Sequence, residues 1–438
     1  SYRFGQLALD VLSQFDTKEM TSKVINGFDC LIRHWKKHTQ ETVQSLWNCY
    51  SVGLETGDLE FAGMSLRYYD THLYFLGREL KTLAAEMASH ADAFAQIKQY
   101  RFVQHNQIQW QRALNLLGEV DDVYCLKGEA CDEETLLPLI MNDGFALIEF
   151  YFTKLQLSYL FGEYELAQEY VAQVDRYASG GRSFVISRQC NFYKSLVNFA
   201  IFSEVNQDTQ TQLLNQVIDN QEKMQLWAKH CPMNVLQQYY LVEAEKCRVL
   251  AQNYQAGDFY DSDIANAKEN RYIQEEALAN ELAAKFYLNW GKEKIASGYM
   301  QEAYYCYARW GAKAKTDDLE RRYPPLLKPI LLQRRVNLNP WETIENITVA
   351  QTVASTHTST TASRAISDAL DFSSLLKAAQ TISSSIELDQ LLTNLTKIIL
   401  ENSGAKKSAL VLPGNAIWLV KAITSINQEN SPFSTQTI

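Results

Sequence analysis

An all-α array of stacked helical hairpins, an α-solenoid, is the fold class predicted for residues 1–334, and three observations predict it. Prolines are scarce, apolar residues recur in steps of three and four, and glycines punctuate the runs. Eight prolines occur in 438 residues and the first is Pro138, so nothing in the opening third removes a backbone donor from a long helix. Ala279, Ala283, Phe286 and Trp290 step by 4, 3 and 4, as do Tyr240, Ala244, Cys247 and Ala251. Each set therefore lies on one helical stripe. Glu243, Lys246, Glu281 and Lys285 fall between the stripes, which predicts one face against a neighbouring helix and the other in water. No alternating run that would mark a strand occurs before about residue 405.

The helices are joined by a recurring turn. It reads Gly57-Asp58-Leu59-Glu60-Phe61-Ala62 and again Gly162-Glu163-Tyr164-Glu165-Leu166-Ala167, with looser echoes at Gly257-Asp258-Phe259-Tyr260 and Gly298-Tyr299-Met300-Gln301-Glu302-Ala303. Glycine supplies the left-handed conformation that stops one helix, and the small alanine lets the next approach closely. These residues resemble the G-D-Y-E-x-A turn of tetratricopeptide repeats. From Gly257 to Gly298 is 41 residues, longer than the usual ~34, so a longer-helix variant of that repeat is expected, extended into an arm. A non-repeating bundle of hairpins is the alternative.

The array should stop at Arg321-Arg322-Tyr323-Pro324-Pro325, where two prolines deny the helix its donors. Residues 335–368 read as a Ser/Thr-rich linker with too few large apolar groups to order itself. In residues 369–438 the stripe Leu370, Leu375, Leu376, Ala379, Ile382 predicts one helix, and Leu388, Leu391, Leu392, Leu395, Ile398, Ile399 a second. Ser408–Leu412 and Ala416–Val420 then read as strand, turn and strand, with no further strand expected to complete a sheet.

Composition narrows the chemistry. With 41 basic and 51 acidic side chains the formal charge is −10, which argues against nucleic acid as a partner. No run reaches the ~18 apolar residues of a membrane span, and the opening Ser-Tyr-Arg-Phe-Gly is no signal peptide, so a cytoplasmic location is expected. The absence of an initiator Met makes a piece of a longer protein the expectation. Eight scattered cysteines, Cys30, Cys49, Cys125, Cys131, Cys190, Cys231, Cys247 and Cys306, read as reduced packing residues.

Neither a G-x-x-x-x-G-K-[ST] phosphate loop nor the kinase elements G-x-G-x-x-G, H-R-D and D-F-G are present. Ser179-Gly180-Gly181-Arg182-Ser183 lacks the lysine and reads as a loop between helices. His34 and His38 lie one helical turn apart, but Lys36 and Lys37 between them repel a cation, so a solvated basic face is expected rather than a metal site. Asp132-Glu133-Glu134 and Asp317-Asp318-Leu319-Glu320 read as helix starts and solvent faces. The aromatics Tyr287, Trp290, Tyr299, Tyr304, Tyr305, Tyr307 and Trp310 read as inter-helix packing. No catalytic, cofactor-binding or metal residue is therefore assigned.

Between about Asn220 and Leu327 the segments QEKMQLWAKHCPMNVLQQYYLVEAEKCRVLAQ, AKENRYIQEEALANELAAKFYLNWGKEKIA and YMQEAYYCYARWGAKAKTDDLERRYPPLL resemble the helical region of large bacterial multi-sensor signal-transduction multi-kinases. LDFSSLLKAAQTISSSIELDQLLTNLTKIILENSGAKKSALVL resembles the start of that family's GAF sensor domain. The resemblance implies an order of serine/threonine kinase, AAA ATPase, helical arm, GAF and histidine kinase. This chain would supply the non-catalytic arm, a signalling helix and an incomplete GAF domain whose small-molecule ligand is unknown. It also implies ATP for the missing domains of the parent, none for this chain, and protein partners or adjoining kinase, ATPase and sensor domains. The rivals are a free-standing tetratricopeptide-like peptide-binding scaffold and the helical arm of an ATP-dependent transcription regulator.

Overall fold

A computed structural model describes residues 1–15, 18–332 and the strands at 407–413, 418–425 and 434–437. The linker at 335–368 and the two helices expected between Leu370 and Ile399 lie outside the described residues. The chain divides into two compact units, Ser1–Leu338 and Asn339–Ile438.

The first unit is all α. Its helices are α1 (Tyr2–Gln14), α2 (Lys18–Leu31), α3 (Gln40–Thr56), α4 (Leu59–Phe75), α5 (Leu80–Gln96), α6 (Tyr100–Leu117), α7 (Glu133–Ile140) and α8 (Gly144–Leu160). They continue as α9 (Tyr164–Tyr177), α10 (Val185–Ala200), α11 (Gln207–Ala228), α12 (Pro232–Val249), α13 (Asn253–Glu269), α14 (Ile273–Asn289), α15 (Glu293–Trp310) and α16 (Lys313–Arg322). The hairpin repeat is regular because the turns are. Residues with positive φ stand at Gly57, Gly77, Lys98 and Gly118, and again at Ala251, Arg271, Gly291 and Gly311. One turn follows another every 20 or 21 residues, so a hairpin of two helices repeats about every 40.

Of these turns, all but that at Gly57 close in the same way. Gly291 N–H donates to Leu288 O and Lys292 N–H to Tyr287 O, and the pairs Arg271 to Lys268 O and Tyr272 to Ala267 O repeat it without glycine. This is the paired-bond helix ending that satisfies the last carbonyls. Lys98, Ala251 and Arg271 adopt it at a cost of ~1 kcal/mol each. Two expected turns are not turns. Gly257 lies inside α13 and Gly298 inside α15. A Cβ at 257 would stand 2.7 Å from Tyr287 Oη, so that glycine admits a neighbouring ring. Nothing in the structure explains Gly298.

Adjacent helices pack as hairpins, α3 with α4, α5 with α6, α8 with α9, α12 with α13 and α14 with α15. The even-numbered helices α4, α6, α8, α10, α12 and α14 pack in succession against one another as an inner layer. The all-α array of helical hairpins expected from the sequence is present, and it closes on itself where helices distant in sequence meet. Asn234 Nδ2 of α12 donates to His34 O and Lys37 O, both at 2.7 Å, and its Oδ1 accepts from Thr39 N–H at 3.1 Å. Gln274 Nε2 of α14 donates to Phe75 O (2.7 Å), and Lys315 Nζ of α16 to Leu160 O (2.5 Å). One apolar core runs from Leu73 in α4 to Ile330.

The second unit contains antiparallel strands β1 (Lys407–Pro413), β2 (Trp418–Ser425) and β3 (Ser434–Thr437), ordered β1-β2-β3. Ala409 pairs with Ile423 and Ile423 with Gln436, and the register shifts between Leu410 and Val411. The expected hairpin is present, but a third strand extends it.

Candidate functional site

The inner layer carries the chain's unusual chemistry. Its helices are buried nearly all round, so polar residues that helical periodicity would place in water are enclosed instead. Glu243 and Glu281, expected on a solvent face, are 8% and 1% exposed.

Three polar clusters result. In the first, Glu149 of α8 accepts from Arg67 Nη2 (2.6 Å) and faces His105 Nδ1 (2.6 Å), while His105 Nε2 faces Asp143 (3.2 Å) and Arg101 Nε donates to the same carboxylate (2.5 Å). Both ring nitrogens of His105 thus meet carboxylates. Burial works to raise the Glu149 and Asp143 carboxyls. The guanidinium and imidazole partners outweigh it and hold both below the usual carboxylate range.

The second cluster centres on Glu275 of α14, whose carboxylate accepts from Gln237 (2.9 Å), Gln238 (2.5 Å) and Gln189 (3.4 Å). Burial raises its pKa despite these donors and Arg188. Asp263, 1% exposed and with neither oxygen hydrogen-bonded, is raised well above its ordinary value by burial and then by Glu275. Arg188 is 0% exposed and its Nε and Nη1 have no partner.

In the third cluster Glu281 lies among Lys285 (2.7 Å), Lys315 (3.1 Å) and Tyr307 Oη (2.8 Å). Burial raises its pKa, but the two ammonium groups prevail and bring it down to about 2. Nearby, Glu245 accepts from Arg248 (2.7 Å) and Tyr260. A cleft of about 220 Å³ opens beside this cluster, lined by Ser203, Arg248, Lys285 and Asn289 among others.

Most groups of the first two clusters are buried, and hydrogen bonds between buried polar groups favour one packing over its competitors. Thiol chemistry is suppressed, because burial pushes Cys49, Cys131 and Cys190 up to about 12. All eight cysteines are free and six are buried. Among the described residues no three His, Cys, Asp or Glu side chains converge to hold a metal, and no helix is long and apolar enough to cross a membrane.

His34 and His38 share no helix face, because α2 ends at Leu31 and His34 sits in a one-turn 3₁₀ helix, Arg33–Trp35. Nor is His34 solvated: it is fully buried with Nε2 3.0 Å from Cys30 O. The Ser179–Ser183 stretch is a loop between α9 and α10 as expected. Asp132 caps α7, but Asp318 is a buried partner of Lys315, Arg321 and Arg322 rather than a surface acid. Tyr287 stacks on Tyr299 at 5.3 Å, in line with the packing role expected of these aromatics.

No family model matches the chain. A stretch of 61 residues, 14% of the chain, is 43% identical to the hybrid signal transduction histidine kinase G of Dictyostelium discoideum, and the match spans 2% of that protein's length. Among solved structures, a circular tandem repeat protein with novel repeat topology and enhanced subunit contact surfaces is similar over 92% of this chain and 91% of its own, at 11% identity and a TM-score of 0.19. At that score the likeness adds nothing to the helical array seen directly.

Proposed function

We propose that this chain is the non-catalytic interaction and signal-relay region of a multi-domain signal-transduction protein kinase of the serine/threonine and histidine kinase type. Residues 1–334 are the helical repeat region, residues 335–368 a linker, and residues 369–438 the signalling helix and incomplete GAF-like domain. The observation that carries this reading is the 61-residue likeness to a hybrid histidine kinase, on a chain whose helical unit holds its acids and bases in closed networks. Partners are proteins or the adjoining kinase, ATPase and sensor domains, ATP belongs to those domains, and the setting is the cytoplasm. Relay requires two packings of the array with different partner affinity.

Two measurements test it. Incubation of the purified chain with labelled ATP should transfer no phosphate above background, and turnover that survives stringent purification refutes the non-catalytic role. Reading the gene on both sides should reveal an ATPase module upstream or a histidine kinase downstream in the same frame. Flanks with neither favour the free-standing peptide-binding scaffold.

A further inference from the structure

A second cavity, away from the three clusters, has the make-up of a ligand site. It measures about 610 Å³ and lies where the 3₁₀ turn Arg33–Trp35 and the end of α2 meet the α9–α10 loop and the end of α11. Trp35 and Trp227 line it with ring centroids 5.2 Å apart, and Ile32 adds apolar wall. The Trp35 indole is fixed in place, because its Nε1–H donates to Ser183 O at 2.9 Å. Around these rings stand three basic side chains, Lys36, Arg182 and His230, and no carboxylate lines the cavity.

The charges there are uncompensated. Among the described residues neither Lys36 nor Arg182 makes an ion pair. Lys36 Nζ lies 2.9 Å from His230 Nδ1. An ammonium has only donors, so Nδ1 accepts, and the ring's hydrogen sits on Nε2, a further donor not engaged by that contact. In a chain of net charge −10, cations gathered at an aromatic cavity without acids repel one another unless an anion joins them. Rigid indole faces suit a planar apolar body, and an ammonium beside a guanidinium suits a carboxylate or phosphate.

We propose that this cavity binds a small aromatic anion, its ring against Trp35 and Trp227 and its carboxylate or phosphate held by Lys36, Arg182 and His230. The site is an input on the helical unit itself, and it stands whether or not the parent is a kinase.

Titration of the full chain with phenyl phosphate and with benzoate, followed by calorimetry and tryptophan emission, tests it. Phenol and inorganic phosphate serve as half-ligands. At least one of the two anions should bind with a dissociation constant below ~1 mM, and the half-ligands at least tenfold more weakly. The relative strengths of phenyl phosphate and benzoate tell which anionic group the site favours. Lys36 and Arg182 are exposed, so K36A/R182A should fold normally by circular dichroism and lose affinity at least tenfold. W227L should lose both affinity and the emission change. Absence of binding by both anions at several millimolar, or equal binding to K36A/R182A, overturns the proposal. Binding of a phosphotyrosine peptide more than tenfold tighter than phenyl phosphate overturns the small-molecule assignment in favour of a protein ligand.

Discussion

Replacement of His72 by glutamine should change how stability depends on pH, and the size of the change follows from its surroundings. His72 is 1% exposed in α4, with its Nδ1 2.6 Å from Thr42 Oγ1. That hydroxyl also lies 2.8 Å from Thr39 O, and with its hydrogen on that carbonyl the ring donates to it from Nδ1. Burial first, and then the buried Arg188 guanidinium, bring the His72 pKa down to about 3. The sign follows directly. Below the unfolded value of about 6.5 the unfolded chain takes up a proton that the folded chain refuses, so stability falls as pH falls, until about pH 3. At pH 5 the loss is about 2 kcal/mol, whereas at pH 7.5 it is about 0.1 kcal/mol. Whole-protein stability does not isolate this, because Asp29, raised by burial to about 6, works the other way by about 1 kcal/mol at pH 5. Comparing wild type with His72→Gln does. Urea unfolding at both pH values should show the variant's deficit at pH 7.5 shrinking by about 2 kcal/mol at pH 5. A deficit that is the same at both pH values within about 0.5 kcal/mol would mean that His72 is not held neutral and that the closure around it is looser than described.

Further tests address the closure and the clusters. Asn234→Ala removes bonds to His34 O, Lys37 O and Thr39 N–H and should cost about 3 kcal/mol, with hydrogen exchange rising first in residues 34–42; unchanged exchange there would count against a closed unit. Glu281→Ala strands Lys285 and leaves Lys315 with Asp318 and Leu160 O alone, and should cost about 3–5 kcal/mol, while Glu281→Leu with Lys315→Met recovers part of that loss in thermal unfolding. Gly53→Val places atoms where a Cβ already stands 2.9 Å from Ala62 Cβ, so α3 and α4 must separate and stability should fall by about 1–3 kcal/mol. A neutral result would show that the hairpin is not tightly crossed.

Much of the helical unit was legible because hairpin turns obey local rules. Gly57 and Gly162 have φ of +75° and +83°, and the alanines that follow, Ala62 and Ala167, are fully buried. The repeat period was legible as well, at 41 residues against about 40 observed, although the glycines it was counted from lie within helices. Where the reading failed, a tertiary demand had replaced a local one. Lys98, Ala251 and Arg271 take left-handed backbone without being glycine, so a glycine search passes over half of the later turns. His34 leaves the helix pattern because both it and Trp35 are drawn onto Ser183 O, about 150 residues away.

The polar interior was the least legible part, and the reason lies in periodicity itself. An amphipathic stripe tells which face is apolar, and polar residues opposite it are assigned to water by default. In a closed array the opposite face of an inner helix meets other inner helices instead. The one sequence signal available is in α8, GFALIEFYFTKLQLSYL, where apolar residues run all round and only Glu149 and Lys154 are charged. A helix of that kind is enclosed, so its lone carboxylate must have a cationic partner. Glu149 has Arg67, with His105 Nδ1 on its other oxygen. The same logic gives no purchase on α14, where Glu275, Glu276 and Glu281 look like an ordinary wet face. Gln237 of α12 reaches Glu275 and Lys315 of α16 reaches Glu281, contacts that the pattern along α14 does not show. Charge pairing across the unit, rather than the pattern along any one helix, therefore holds the inner layer in a single packing. A relay that works through this unit must exchange those pairs, and Glu281→Ala is accordingly expected to alter partner affinity as well as stability.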